Sequence, residues 1–564
     1  MFDVVETPIA ELREALEGGR LTSVGLVQAY LNRIETYDAA GTETALNSVV
    51  VRNPDALREA EQADRRRSEG ATLGPLDGIA YTVKDSYLVK GLTAASGSPA
   101  FVNLLSRGDA FTVGRLRRGG AICLGKTNMP PMANGGMQRG VYGRAESPYN
   151  AGYLTAPFLS GSSNGAGTST AASFAAFGLA EETWSSGRGP ASNNGLCAYT
   201  PSRGVISVRG NWPLTPTMDV VVPFARTMAD LFEVLDVIVA DDAERRGDLW
   251  RSQDWISIPP ASAVRPDSYP NLATGAEGLA GKRLGVPRMY INRDTDAGTG
   301  DSSGIWGPCG EKITTRKSIV ELWRMARADL EGAGAEVIEV DFPRVSNYEG
   351  DRAGCPTILT RGLVSPEYLE LELRELSAGA FDDVLKANGD PAVSRLDQVD
   401  GRLIFPEDPG ALPSREGGMS FGMEEYVEMA RKGITPWDQL PLLADGMRGL
   451  EETRRVDLED WMDDLGLDAV IFPAVADVGP ADADVNPESA NLAWANGVWV
   501  ANGNVAIRHF GVPTVTVPMG VMSDIGMPAG LTFAGRGWDD NALLQLGSAF
   551  ESIRPRRIVP PRTP

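Results

Sequence analysis

Histidine is nearly absent from this sequence: among 564 residues there is one, His509. Catalytic metal sites often need two or three imidazoles, and serine hydrolases usually take a histidine as the base for their nucleophile. Sites with several histidine ligands are therefore excluded. If a serine acts as a nucleophile, its base is either His509 or a group of another type, such as a lysine.

One candidate nucleophile is Ser163, in the Gly-Ser-Ser-Asn-Gly segment at residues 161–165. This segment fits the Gly-x-Ser-x-Gly elbow of α/β-hydrolases, and His509 lies downstream in the required chain order. Against it, Pro157 is unfavourable in the central strand that must lead into an elbow. His509 lies in an apolar stretch, where a packed histidine is the more common outcome. An α/β-hydrolase-type esterase using Ser163 and His509 is kept as an alternative.

Residues 120–127, Gly-Ala-Ile-Cys-Leu-Gly-Lys-Thr, satisfy the Walker A pattern letter for letter. In a nucleotide site that pattern is a loop whose amide groups wrap phosphates at the start of a helix. Here the four intervening residues have the composition of a buried strand, and Pro130 and Pro131 follow where the helix should begin. We therefore interpret these residues as a strand end and a turn.

A third set of residues can supply a lysine as the base. Lys84 follows an apolar segment, Ser162 lies in a loop rich in glycine and serine, and Ser186 follows 24 residues later. Each has an ordinary structural explanation, because lysines after strands are usually solvated and Ser/Gly segments usually form turns. Residue types alone do not choose between this set and the Ser163 alternative.

Hydrophobic periodicity places these residues among alternating helices and strands. Residues 8–69 are predicted to be helical, with Thr22 or Ser23 as an N-cap. Residues 240–450 are interpreted as insertions and connecting helices over one face. Further helices are predicted at residues 111–119, 166–179, 317–332, 446–465 and 541–551, and strands at 78–83, 121–124, 468–473 and 513–518. This alternation indicates an α/β layered fold.

Composition limits the classes of partner. The chain is 42% hydrophobic and 23% charged, as in ordinary globular proteins, with a formal net charge of −22. That charge opposes nucleic acid or an anionic membrane as the main partner. Four widely spaced cysteines, at positions 123, 197, 309 and 355, predict free thiols in a reducing compartment. Because no apolar run is long enough to span a bilayer and no signal peptide is recognisable, we expect a cytoplasmic protein.

The sequence resembles the amidase-signature family over nearly its whole length. Residues 74–85 look like the family's catalytic-lysine segment, and residues 125–129 match its next strand end. Residues 160–163 correspond to a Gly/Ser loop of the family, and the 24-residue step from Ser162 to Ser186 is the family's spacing to its nucleophile. Further matching positions are Arg188, Pro190 and Gly195, with segments 223–227 and 530–533.

This resemblance implies a fold and a function. The fold is of the α/β class, with a central mixed β-sheet covered by helices on both faces, in a single domain over residues 1–564. Its expected parts are a helical N-terminal part (1–70), a catalytic core (71–240), variable insertions (241–450) and the rest of the core (451–564). The implied activity is hydrolysis of small or aryl amides, with carbamate (urethane) hydrolysis as a close variant, by a monomer or homodimer. The glutamine-hydrolysing subunit of a tRNA amidotransferase shares the signature, and a protein of that kind is a second alternative.

The resemblance also assigns roles to residues. Ser186 is the expected nucleophile, Lys84 the base, and Ser162, expected to follow a cis peptide, the relay between them. Because Lys84 must lose its proton near neutral pH, Asp85 is expected to point away from it. No metal or organic cofactor is expected. Oxyanion-hole amides are expected from Thr183, Trp184, Ser185 and Ser186, and acyl-pocket positions are Ala133, Asn134 and Gly135.

The sequence departs from the signature in two segments, the Gly/Ser loop and the approach to the nucleophile. Ser160 and Asn164 replace glycines of the Gly/Ser loop, and Trp184 and Ser185 replace the two glycines before the nucleophile. The approach that usually reads Gly-Thr-Asp-x-Gly-Gly-Ser is Ala-Glu-Glu-Thr-Trp-Ser-Ser over residues 180–186. Since glycine permits turns that other residues adopt only with strain, Trp184 and Ser185 are expected to form the oxyanion turn with side chains attached.

Overall fold

Eleven β-strands form one mixed sheet in the computed structural model, which describes residues 2–300, 312–413, 422–496 and 501–564. The strands are β1 (Val49–Arg52), β2 (Ala80–Lys84), β3 (Ile122–Thr127), β4 (Phe177–Glu182), β5 (Cys197–Thr200), β6 (Val220–Ala225), β7 (Arg283–Pro287), β8 (Glu336–Val340), β9 (Ala469–Pro473), β10 (Thr514–Val521) and β11 (Pro528–Ala534). Their order is β1-β3-β2-β4-β6-β5-β10-β11-β9-β7-β8.

The sheet has two parallel parts joined by an antiparallel middle. Strands β3, β2 and β4 are parallel to one another, and so are β9, β7 and β8. Along the order β4-β6-β5-β10-β11-β9, each strand pairs with the next in the antiparallel direction, and so does the edge pair β1–β3. The expected mixed sheet is confirmed, and it joins residues from the N-terminal, middle and C-terminal parts of the chain.

Helices flank this sheet. The α-helices of the described residues are α1 (Ile9–Glu17), α2 (Ser23–Tyr37), α3 (Ala56–Ser68), α4 (Phe111–Arg118), α5 (Asn164–Ala171), α6 (Arg188–Asn193), α7 (Met228–Ile238), α8 (Leu249–Ser252), α9 (Ala261–Val264), α10 (Lys317–Gly332), α11 (Pro343–Glu349), α12 (Pro366–Leu371), α13 (Ser377–Asn388), α14 (Met423–Lys432), α15 (Leu443–Arg454), α16 (Asp460–Leu465), α17 (Pro487–Ala493), α18 (Asn504–His509) and α19 (Asp540–Ile553). Single π-turns join α12 to α13 and α15 to α16.

Amphipathic helices follow the sequence pattern closely. The side chain of Thr22 caps α2 by accepting a hydrogen bond from the amide of Gly25 at 3.0 Å. Leu26, Val27, Tyr30 and Ile34 are buried, at the spacing of three and four that marks one helix face. The helix predicted at 317–332 is α10, with the same bounds.

The helix expected over residues 166–179 is wrong in its second half. Helix α5 ends at Ala171, and Phe177–Glu182 is strand β4, which pairs with β2 on one side and β6 on the other. Because β4 is a central strand buried on both faces, its residues show no alternation of apolar and polar side chains. A run of small and apolar residues then resembles a buried helix.

Residues 240–450 contribute more to the core than expected. Strands β7 and β8, which lie in this part of the chain, are at one end of the central sheet and pair in parallel. The interpretation of these residues as insertions and connecting helices over one face therefore missed two strands of the core. Both strands are short, and glycine and proline residues lie around them, which hides their pattern in the sequence.

Close packing of α5 determines where the Gly/Ser loop lies. A Cβ built on Gly165 would overlap the amide nitrogen of Asn128, and one on Gly167 would lie 2.7 Å from Nδ2 of Asn194. Every residue of α5 is buried. The N-terminus of α5, and the loop before it, are thereby held against the ends of β2 and β4.

Three cysteines, Cys123, Cys197 and Cys355, are free thiols, and Cys309 lies outside the described residues. Among the described helices, none has the length and apolar character needed to cross a membrane.

Candidate active site

Lys84 is the last residue of β2 and is completely buried. Parallel pairing places it opposite Thr127 of β3, and its neighbour Val83 lies opposite Leu179 of β4. Its Nζ donates a hydrogen bond to Oγ of Ser162 at 2.7 Å. Burial lowers the pKa of Lys84 to about 8, against the opposing effect of nearby carboxylates. About half of this lysine is therefore neutral near pH 8.

Ser162 connects Lys84 to Ser186. Its hydroxyl accepts the hydrogen bond from Lys84, and its amide donates to Oγ of Ser186 at 3.0 Å. The three residues named from the sequence thus lie together, although they belong to a strand, a loop and a turn. The expectation of a cis peptide before Ser162 is wrong: no peptide bond among the described residues is cis. The trans loop presents both the hydroxyl and the amide of Ser162 to its two neighbours.

Glu182, the last residue of β4, fixes the turn that carries Ser186 through hydrogen bonds. Its Oε2 accepts hydrogen bonds from the amides of Gly187 and Arg188, at 3.0 and 2.9 Å. The hydroxyl of Ser185 donates to the carbonyl of Ser160 at 2.8 Å, which ties the turn to the Gly/Ser loop. Among the hydrogen bonds of the described residues, none uses the amide of Ser185 or Ser186 as donor.

The two non-glycine residues of this turn fit without left-handed backbone. Trp184 and Ser185 both have negative φ, so the substitution of glycine imposes no conformational strain there. The Trp184 ring packs against the apolar cluster that contains Leu159 and Phe510. The departure from the signature is therefore accommodated by packing and by the Ser185 hydrogen bond.

Arg188 makes both a buried ion pair and hydrogen bonds to the turn that carries Ser186. Its Nε donates to Oε1 of Glu182 at 2.9 Å in a fully buried ion pair. Its terminal nitrogens donate to the carbonyls of Trp184, at 2.5 Å, and Asn502, at 2.6 Å. The arginine therefore both neutralises Glu182 and positions the turn before Ser186.

Glu181 was not predicted as a site residue. Its Oε2 lies 3.9 Å from Nζ of Lys84, and the Ser86 hydroxyl and the Asn211 side-chain amide donate close hydrogen bonds to its two oxygens. Burial raises the pKa of Glu181, and the nearby Lys84 opposes that rise. The available signal was its position, since the signature has a threonine where this sequence has Glu181.

Asp219 is a second acidic residue that sequence reasoning missed. Its Oδ1 accepts a hydrogen bond from the Thr183 hydroxyl at 2.6 Å, and its Oδ2 accepts from the amide of Leu214 at 2.9 Å. Burial raises the pKa of Asp219 to about 7. Asp219 precedes β6, so the antiparallel pairing of β6 with β4 brings it beside Thr183.

Asp85 points away from Lys84, as expected. Its Oδ1 lies 3.1 Å from Nζ of Lys126, and its Oδ2 accepts a hydrogen bond from the amide of Gly97 at 3.0 Å. Lys126 also donates to the carbonyl of Thr93 at 2.8 Å. Since Lys126 is a fully buried residue of strand β3, the Walker A match is a coincidence of letters, as interpreted from the sequence.

The alternative site of Ser163 and His509 is not assembled. The Ser163 hydroxyl donates to the carbonyl of Glu181 at 2.9 Å. His509 is buried, with Nδ1 at 2.7 Å from the Tyr348 hydroxyl and Nε2 at 3.0 Å from a carboxylate oxygen of Glu372. Both ring nitrogens are therefore occupied by groups other than a serine.

Ala133, Asn134 and Gly135 form a turn beside the Gly/Ser loop. The carbonyl of the next residue, Gly136, accepts a hydrogen bond from Nδ2 of Asn164 at 2.8 Å. A Cβ on Gly136 would overlap the carbonyl oxygen of Pro157, so the two loops are in direct contact. A cavity of ≈ 830 Å³ opens next to this turn; its lining includes Pro131, Gln138, Phe158 and Trp494.

Comparison with known proteins identifies the class of enzyme as a hydrolase for carbon–nitrogen bonds. Residues 25–264 match the family model described as Amidase. The chain carries an Amidase-family segment over these residues and, with amidase-type structural neighbours over nearly its whole length, is an amide-hydrolysing enzyme.

Similar proteins of known name or structure cover almost the whole chain. A glutamyl-tRNA(Gln) amidotransferase subunit of Psychrobacter sp. (strain PRwf-1) is 26% identical, over 98% of this chain and 97% of that protein. The corresponding subunit of Chloroflexus aurantiacus is 27% identical, over 99% and 100%. The peptide amidase PAM with the competitive inhibitor chymostatin has a TM-score of 0.73 at 25% identity, over 99% and 100%. Native peptide amidase from Stenotrophomonas maltophilia has a TM-score of 0.70 at 25% identity, over 98% of both chains.

Proposed function

We propose that this enzyme hydrolyses amides of small or aryl substrates through an acyl-enzyme on Ser186, with Lys84 as base and Ser162 as relay. One observation carries the proposal: Lys84 donates a hydrogen bond to the Ser162 hydroxyl, at 2.7 Å, and the backbone amide of the same Ser162 donates to Ser186 Oγ, at 3.0 Å. The first contact joins the base to the relay hydroxyl, and the second holds the nucleophile beside the residue that carries this hydroxyl.

Acylation begins when Ser186 Oγ attacks the carbonyl carbon. Its proton passes to the Ser162 hydroxyl while the Ser162 proton passes to neutral Lys84. The pKa of about 8 makes Lys84 a far better base near pH 8 than a solvated lysine, whose pKa is ~10.4. When the tetrahedral intermediate collapses, the proton returns along the same path to the leaving amine. Water then attacks the acyl-enzyme in the same way and releases the acid.

Backbone amides of the turn stabilise the negative oxygen of the intermediate. The amides of Ser185 and Ser186 make no other hydrogen bond among the described residues, and those of Thr183 and Trp184 precede them in the same turn. Glu182 and Arg188 hold this turn in place before the substrate arrives. Such preorganised donors typically contribute ~2.7–4 kcal/mol each to catalysis.

The substrate class is proposed from the space beside the site. The small residues Ala133 and Gly135 leave room for a small acyl or aryl group beside a cavity of ≈ 830 Å³, whose lining includes the aromatic Phe158 and Trp494 together with charged residues such as Arg139 and Asp484. A carbamate presents a similar carbonyl and amine leaving group, so urethane hydrolysis is a variant of the same proposal.

Glutamine hydrolysis within an amidotransferase is the second candidate. It is favoured by the relatives that are glutamyl-tRNA(Gln) amidotransferase subunits, which match over almost their full length. The net charge of −22 and the altered turn before Ser186 favour the first candidate. Turnover of a p-nitroanilide by the purified chain, with no partner present, separates the two.

The test uses a small acyl p-nitroanilide and a fluorophosphonate. We expect Ser186→Ala to lower kcat/KM by at least about 10⁴-fold and to abolish covalent labelling, because the nucleophile is removed. Ser163→Ala is the matched control, since it deletes a neighbouring hydroxyl that bonds only to the backbone of Glu181. Full activity in Ser186→Ala, or labelling that maps to Ser163, would refute the assignment.

A further inference from the structure

A second cavity, of ≈ 330 Å³, lies beside the start of strand β6 and has Glu181, the carboxylate next to Lys84, in its lining. Its inner end is formed by Glu181, Asn211 and Asp219, the first of which contacts Lys84 at 3.9 Å. The remaining wall is mostly apolar; it includes Trp212, Val220, Leu249, Trp437 and Leu440. Nothing in the proposed acylation uses this space.

The inner end presents an unsatisfied acceptor. Asn211 is only 7% exposed, and its Nδ2 donates to Glu181, whereas its Oδ1 has no hydrogen-bond partner among the described residues. A buried polar atom left without a partner costs about 1–3 kcal/mol. A ligand that donates hydrogen bonds would recover this energy.

The charges of the cavity are unequal from mouth to inner end. At the exposed mouth, Arg246 pairs with Asp383 at 2.8 Å and Lys386 pairs with Asp382 at 2.5 Å, so the cations there are neutralised. At the inner end Asp219 has no cation within 4.0 Å among the described residues, and Glu181 has only Lys84.

Lys84 loses its own charge whenever it serves as the base. The two carboxylates at the inner end are then without any cation in contact, in surroundings that weaken solvation. Glu182, the other carboxylate that acts on Lys84, is already paired with Arg188. Burial raises the pKa of both carboxyl groups, so a bound cation that also donates hydrogen bonds would stabilise their ionised forms.

We propose that this cavity binds a primary organic ammonium ion with an aryl or alkyl body, its nitrogen directed to Glu181, Asn211 and Asp219. The body of the ligand lies against Trp437 and the apolar wall, where the aromatic ring adds a packing contact. The volume suits a molecule of the size of benzylamine.

Calorimetric titration of the full chain with benzylamine and with neutral benzyl alcohol tests this without any turnover. We perform it on Ser186→Ala, so that its outcome does not depend on whether Ser186 is the nucleophile. Benzylamine should bind with one site per chain and at least about tenfold more tightly than benzyl alcohol, because the alcohol lacks the charge.

Two variants locate the site. Glu181→Gln and Trp437→Leu should each weaken benzylamine binding about tenfold, through the charge and the wall respectively. Phe158→Leu, in the lining of the other cavity, is the matched control and should leave the affinity unchanged. The comparison of the two ligands does not require either cavity variant to fold. Equal affinity of the unsubstituted cavity for benzylamine and for benzyl alcohol would overturn the proposal. So would weakening by Phe158→Leu but not by Trp437→Leu.

Discussion

The carboxylate of Glu181 lies 3.9 Å from Nζ of Lys84, with both groups buried at the end of neighbouring parallel strands. The two effects on the lysine have opposite signs: burial lowers its pKa, and the negative charge of Glu181 raises it. Burial is the larger effect, so the result is a base with a pKa of about 8. Glu181 therefore sets how far above neutral pH this base becomes active.

Glu181→Gln is expected to move the acid limb of the activity profile to lower pH. Removing the negative charge removes the attraction that holds a proton on Lys84, so the pKa of Lys84 falls further and more of it is neutral at pH 7. The measurement is kcat/KM between about pH 6 and pH 10. Glu17→Gln, on the exposed side of α1, is the control and should reproduce the original limb. A limb that stays in place or moves upward in Glu181→Gln contradicts this account.

Arg188→Lys is expected to lower kcat by about 10–100-fold, with a smaller effect on KM. A lysine retains the positive charge for Glu182, but its single ammonium group cannot also reach the carbonyls of Trp184 and Asn502 in the fork geometry of arginine. Steady-state kinetics and a thermal melt check this together. If kcat is retained while the melting temperature falls, Arg188 supports only the fold.

Gly165→Ala is expected to destabilise the protein by about 1–3 kcal/mol and to lower activity. The added Cβ overlaps backbone atoms of Asn128 and Ser48, and so pushes α5 and its preceding loop away from the strand ends. Gly332→Ala, at the end of α10, is the matched control because no atom lies within 4 Å of its Cβ. Chemical denaturation of both variants gives the comparison; equal stability would show that α5 can move freely.

Asp219→Asn is expected to become more stable relative to the unsubstituted protein as the pH is raised from about 5 to about 8, measured as the difference between their free energies of unfolding. The folded pKa of Asp219 is raised to about 7 from an ordinary value of 3.8, so between these values the folded state binds more protons than the unfolded state. The contribution of Asp219 to stability is therefore lost as the pH rises through this interval, and the neutral amide escapes that loss. Urea denaturation at the two pH values measures it. Asp254→Asn, on an exposed side chain, should show no such difference.

Elements with a strong local pattern could be predicted well. The helix at 317–332 and the cap at Thr22 depend on the order of residues within a few turns, and both are found where expected. Strand β4 could not be distinguished from a helix, because its residues are all buried and show no alternation. Whether such a segment becomes a strand depends on its pairing with β2 and β6, which are distant in the chain.

Lys84, Ser162 and Ser186 could be named from the sequence because the types and spacing of these residues, with the resemblance, are local properties of the chain. Only the tertiary structure decided three other features of the site. Lys84 and Ser162 are in hydrogen-bonding contact, the peptide before Ser162 is trans, and Glu181 and Asp219 lie beside the other site residues. The physical reason is that these contacts join strands and loops that are far apart in the sequence, and the number of residues between two segments does not determine their distance in space. The pKa of Lys84 follows from the same contacts, because burial and the charge of Glu181 both act on Lys84 through space.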